Sequence, residues 1–141
     1  TNFTSFLQNN TALSTANYDA LLIAWEAQNP LDGKSFHAGD ALYTPTQVDN
    51  GTTTSTTSNK LVQSGQNFDS TVSVGDIVVN TTDSKMTRVT AVDSATQLAL
   101  NNDIMASGEN FQIHSSNAAK AKERLVNDHT WTIIDSLGTI T

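Results

Sequence analysis

Apolar positions near the start of the chain recur with helical spacing. Tyr18, Leu21, Leu22 and Trp25 fall at i, i+3, i+4 and i+7, one face of a helix. Ser14 and Thr15 are good N-cap residues and Asp19 sits in the first turn, where the helix dipole favours an acid. Pro30 disfavours helical geometry at Asn29, so the helix stops near Gln28. Asp32-Gly33 then reads as a turn, and Lys34 to Ala38 as a short strand. From Pro45 to Ser58 the chain reads PTQVDNGTTTSTTS, with one aliphatic residue and an Asn50-Gly51 pair that favours a tight turn. This stretch predicts a linker or an exposed hairpin.

From Lys60 to Ser116 the period shortens to that of β-strands. Runs at Lys60 to Ser64, Asp76 to Asn80, Met86 to Val92, Gln97 to Leu100 and Asn110 to His114 are separated by turn residues such as Gly75-Asp76, Asp93-Ser94 and Ser107-Gly108. About five strands at this spacing predict a small antiparallel barrel or sandwich. A second helix runs from an N-cap at Asn117 through Ala118 to Asp128, with Ala118, Ala121 and Leu125 on one face. Lys120, Lys122 and Arg124 lie in it, with Glu123 as a compensating charge. Thr130 to Asp135 alternates as a terminal strand, Trp131 and Ile133 on one face and Thr132 and Ile134 on the other. The predicted class is α+β. Residues 1–44 and 117–141 form a small two-helix, short-strand layer, and 45–116 form an inserted β module led in by a Thr-rich loop over 45–58.

Composition narrows the function. The 141 residues are 37% hydrophobic and only 15% charged, so solubility rests on Thr, Ser, Asn and Gln, which suits exposed β surface. The net charge of -7 repels phosphate backbones and anionic membranes, which argues against nucleic-acid binding. With no cysteine, disulfides and thiolate metal sites are impossible. The longest apolar run, Ala20 to Trp25, falls well short of the roughly 20 residues that span a bilayer. The N-terminus lacks the basic start and apolar run of a signal peptide. Targeting has been removed, or the chain is an internal fragment, or export takes another route.

Two stretches carry a resemblance to one family. LSTANYDALLIAWEAQ (Leu13 to Gln28) with FHAGDALYT (Phe36 to Thr44), and AAKAKERLVNDHTWTIID (Ala118 to Asp135), together resemble the terminal cap of BspA-type bacterial surface leucine-rich-repeat proteins. The resemblance implies a cap that covers the open hydrophobic edge of a solenoid. Trp131, Ile133 and Ile134 would form its strand, and Trp25 and Leu125 its helix anchors. The solenoid repeats are missing here and about half the chain is inserted between the helices, so the edge is expected to bury against another subunit or an upstream segment. The middle, Lys60 to His114, resembles a β module of tailed-phage virion proteins through its K-L-V start and its V-G-D-I-V-V-N-T-T, V-T-A-V-D-S and A-S-G-E steps. Neither resemblance assigns a catalytic residue.

Signatures of catalysis are weak. His37, His114 and His129 stand singly, without an HExxH or a His/Asp/Glu cluster at ligand spacing. No G-x-S-x-G or Walker loop occurs, and Gly75-Asp76 reads as a turn into a strand. Asp83, Asp93 and Asp103 stand at turn positions, where local backbone bonding explains them. Oxygen-rich loops suit calcium, yet the D-x-D-x-D-G spacing is missing. Trp25 and Trp131 offer sugar-stacking faces, but Trp25 shares a helical face with Leu22, which favours core burial.

The expected role is a non-enzymatic virion structural protein of a tailed phage, a fibre, appendage or decoration component acting at the virion or cell surface. The alternative is the terminal domain of a bacterial adhesion protein that binds host protein or glycan. A polysaccharide hydrolase is the third class, should distant carboxylates converge in a cleft. No cofactor, nucleic acid or membrane insertion is expected; partners are further copies, other virion or surface proteins, or a host glycan or protein. Interface and structural candidates are Phe3, Phe6, Leu7, Tyr18, Leu22, Trp25, Leu125, Trp131 and Ile133. Phe3, Phe6 and Leu7 precede the first helix in a segment too short to form its own core, so they call for a partner surface.

Overall fold

A computed structural model of the chain describes Leu7 and residues 13–140. The fold is α+β and divides into two compact units, residues 1–45 with 117–141, and residues 46–116.

In the first unit, α1 spans Thr15–Ala27, with the Ser14 hydroxyl accepting from the Asn17 N–H at 3.3 Å. It ends as the residues before Pro30 require, Asn29 turning to φ 47°. The helix starts at Thr15, so its first turn holds no acid, and Asp19 lies just beyond that turn rather than in it as expected. Its carboxylate instead accepts from both the N–H and the hydroxyl of Thr44, at 2.9 and 2.6 Å, tying α1 to the end of the segment. β1 (Ser35–His37) pairs in parallel with β8 (Thr132–Asp135), Phe36 opposite Ile133. β9 (Gly138–Ile140), which the sequence pattern did not predict, folds back on β8 with Ile140 opposite Ile133. The sheet order is β1-β8-β9. α3 (Asn117–Asn127) packs against α1. The terminal strand starts two residues later than expected, because Thr130 takes φ 54° and the Trp131 N–H bonds back to the Leu125 carbonyl at the helix end. Asn117 is the first helical residue rather than the cap.

The second unit is one curled antiparallel sheet, in the order β2 (Gln47–Thr52), β7 (Asn110–His114), β4 (Ile77–Asn80), β5 (Lys85–Ser94), β6 (Gln97–Leu100), β3 (Lys60–Val62). A bridge from Ser55 to Val62 links its two ends. Leu61, Phe68, Val78, Val89, Leu98, Phe111 and Ile113 fill the interior. A one-turn helix, α2 (Phe68–Thr71), drops Phe68 into that core, its ring 6.2 Å from Phe111.

The five strands expected over 60–116 are present, but the Thr-rich stretch is a correction. Residues 47–52 are neither a linker nor the turn of a hairpin. They form an edge strand on β7, with Asn50 opposite Gln112 and Gly51 opposite Phe111. Asn50-Gly51 therefore lies inside a strand. The missing Cβ at Gly51 makes room for the Gln63 amide, which a methyl group there would overlap.

Candidate functional site

The first unit holds a polar cluster in a place built for apolar side chains. α3 presents Ala118, Ala121, Lys122 and Leu125 at i, i+3, i+4 and i+7, and all four are buried. Along β8 the alternation that buries Trp131 and Ile133 carries Asp135 inward as well. Lys122 Nζ and Asp135 Oδ2 meet at 2.7 Å with both side chains fully shielded from solvent. The Tyr18 hydroxyl, from the buried face of α1, donates to the same Oδ2 at 2.7 Å. The Leu137 N–H donates to the other oxygen, Oδ1, at 3.0 Å. Tyr43 completes the enclosure, its ring centroid 5.3 Å from the ammonium. Burial lowers the Lys122 pKa against the opposing pull of Asp135. Burial first, and the Asp135 charge second, push the Tyr18 hydroxyl far above its ordinary value, so it remains a donor. Burial likewise raises Tyr43. Glu123, the compensating charge in this helix, is buried and accepts from Asn127 Nδ2 at 2.9 Å.

The candidate residues are distributed as follows. Phe3 and Phe6 lie outside the described residues, and Leu7 is half-buried. Tyr18, Leu22, Leu125, Trp131 and Ile133 are buried within their own unit, and Trp25 is half-buried. The Trp25 ring stands edge-on to Phe36 at 4.7 Å and tilted to Trp131 at 5.5 Å, while Trp131 Nε1 donates to the Leu31 carbonyl at 3.0 Å. The faces expected to meet a neighbour are thus consumed by the unit's own core. The apolar surface left over is the opposite side of α1, where Ala16, Ala20, Ile23, Ala24 and Ala27 are exposed, Ile23 by 40%. Leu31 and Leu42 add 77% and 44% exposure in the same unit. α1 is therefore apolar on both sides.

The second unit carries an open pocket of ≈ 270 Å³. Ile104, Met105 and Ala106 form its apolar part, with Thr56, Asp83, Lys85, Asp103 and Glu109 around them. Most of its acids hold loops in place. Glu109 Oε2 accepts from the Ala106 N–H at 2.6 Å and from the fully buried Asn80 Nδ2 at 2.9 Å. Asp103 accepts from the Asn59 N–H and the Ser58 hydroxyl. Asp93 is likewise no local turn residue: it binds Lys60 at 2.7 Å and Gln97 at 2.9 Å. Lys85 and Asp83 approach only to 4.0 Å at the surface. The histidines are separate, His37 accepting from the Gly39 N–H, His114 beside Gln112 and His129 beside Asp32. Among the described residues no three His, Asp or Glu side chains converge as metal ligands.

Comparisons with family models, with curated protein sequences and with solved structures gave no match.

The Lys122–Asp135–Tyr18 cluster escaped the sequence reading, although its signal is present. The helical period that places Ala118, Ala121 and Leu125 on one face includes position 122, and the strand period that buries 131 and 133 includes 135. A lysine and an aspartate at predicted core positions of two adjacent elements are candidates for a buried pair.

Proposed function

We propose that the chain is a non-enzymatic structural and attachment component of a tailed-phage virion, acting through subunit assembly. The observation that carries this reading is the second apolar face of α1, running from Ala16 to Ala27 and exposed in the single chain. Small side chains along it let another helix approach closely, and Ile23 supplies the protruding contact. The polar β surface of the second unit is then the part shown to solvent or host. Many copies in one assembly supply avidity where single contacts are weak. The acidic balance of the chain disfavours nucleic acid as the partner.

One observation favours the second reading, a terminal domain of a bacterial surface adhesion protein. β1 and β8 pair in parallel with helices before each of them, the helix–strand repetition of a solenoid end. On that reading the outer face of α1 covers the preceding coil of a longer protein.

Light scattering after size exclusion, on the native chain and on Ile23→Asp, separates the two. The virion reading expects a closed assembly of three or more copies, reduced to monomers by Ile23→Asp with an unchanged melting curve. A monomeric native chain removes it and favours the adhesion domain.

A further inference from the structure

We propose that Lys122 and Asp135 are the two halves of an intramolecular amide cross-link, formed by condensation of the lysine amine with the aspartate carboxyl group. This goes beyond the assembly reading and stands on its own geometry. The two reacting groups sit at 2.7 Å, fully shielded from water, on elements that the fold holds in place. Pre-positioning of this kind removes the entropy cost of bringing amine and acid together and is worth a large effective concentration. A buried ion pair is costly to keep dehydrated. Passing one proton from ammonium to carboxylate gives the neutral amine and carboxylic acid, the forms that condense, and burial lowers the Lys122 pKa in the required direction.

The remaining contacts match the needs of that reaction. The amine nitrogen attacks Cγ of Asp135, and negative charge develops on Oδ1, where the Leu137 N–H is already placed as donor at 3.0 Å. Oδ2 is the leaving oxygen. It accepts from both Lys122 Nζ and the Tyr18 hydroxyl at 2.7 Å, so the proton released by the attacking nitrogen passes directly to it while Tyr18 stabilises it as it leaves. The N–C bond forms, the C–Oδ2 bond breaks, and one water molecule departs. No oxidant or cofactor enters. The product replaces a buried ion pair with a neutral amide and ties α3 to β8 covalently in a chain that has no cysteine to form a disulfide.

The test is the intact mass of the denatured full chain, with a peptide map, on the native protein and on Lys122→Arg. Arginine keeps the charge pair and the fold but leaves no amine to condense. The expected result is a native chain lighter than its sequence by one water, with the segments around 122 and 135 joined in the map, and Lys122→Arg at full sequence mass. Tyr18→Phe then forms the link more slowly. A native mass equal to the sequence overturns the proposal and leaves an ion pair only. A water loss that persists in Lys122→Arg assigns it to another site and overturns it equally.

Discussion

At the scale of residues, the buried cluster dominates the energetics. Asp135 neutralises Lys122, accepts from Tyr18 and holds the Leu137 N–H, so three donors depend on one side chain. Removing one partner of a buried charged pair strands the other, at a cost of about 3–5 kcal/mol. Asp135→Ala should therefore lose about that much in denaturant unfolding, far more than removal of the surface partner Asp93 from Lys60, worth about 1 kcal/mol or less. The same cluster predicts alkaline behaviour. The folded pKa values of Tyr18 and Tyr43 lie above their ordinary value of 10.0. Above that pH the unfolded chain releases two protons that the native chain keeps, so stability falls, by about 1.4 kcal/mol per pH unit for each tyrosine. Lys122 works in the opposite sense. Its folded value lies below 10.5, so while it still titrates it adds stability as pH rises, up to its unfolded value. The net loss should steepen above about pH 10.5, and Tyr43→Phe should remove close to half of the slope in pH-dependent urea midpoints.

At the scale of elements, Trp131 joins the end of α3, the loop at Leu31 and the ring of Trp25. Trp131→Ala should cost about 3–5 kcal/mol, with loss of near-ultraviolet circular dichroism from the Trp25 contact; an unchanged stability would contradict its place in the core. The elements that sequence periodicity revealed are those with enough residues to show a period. α1 has four apolar positions in register and a serine cap, and β5 is long enough, at ten residues, to carry Met86, Val89 and Val92 between turn residues. α2 was not legible because four residues make a single turn, too short to show amphipathicity. β9 has three residues, of which only Ile140 is buried. β2 was hidden by Asn50-Gly51, a pair that elsewhere makes a hairpin turn but here is held straight by pairing with β7. The buried cluster was hidden for another reason. Lys122 and Asp135 obey the positional pattern but break the residue-type rule, since charged side chains are rarely buried unless paired.

At the scale of the whole molecule, the inserted unit begins and ends at one place. The N–H and hydroxyl of Ser115 both donate to the Thr46 carbonyl at 3.1 Å, and Gln47 pairs with His114. Chain ends that lie side by side are what permit a domain to be inserted into a loop of another, or removed from it. Residues 46–116 also own a complete interior: their sheet is bridged end to end, and Phe68 from α2 fills the core that Leu61, Leu98 and Phe111 line. Six strands around one apolar face exceed the minimum of about three that a sheet needs for independent stability. The segment 46–116 produced alone should therefore unfold in one cooperative thermal transition, with dispersed amide resonances. A non-cooperative melt would mean that its core is completed by residues outside the segment. If the transition is seen, the proposed assembly face on α1 and the β surface of the inserted unit belong to separately folding parts, and Ile23→Asp should change the solution mass of the full chain without altering the transition of the inserted unit.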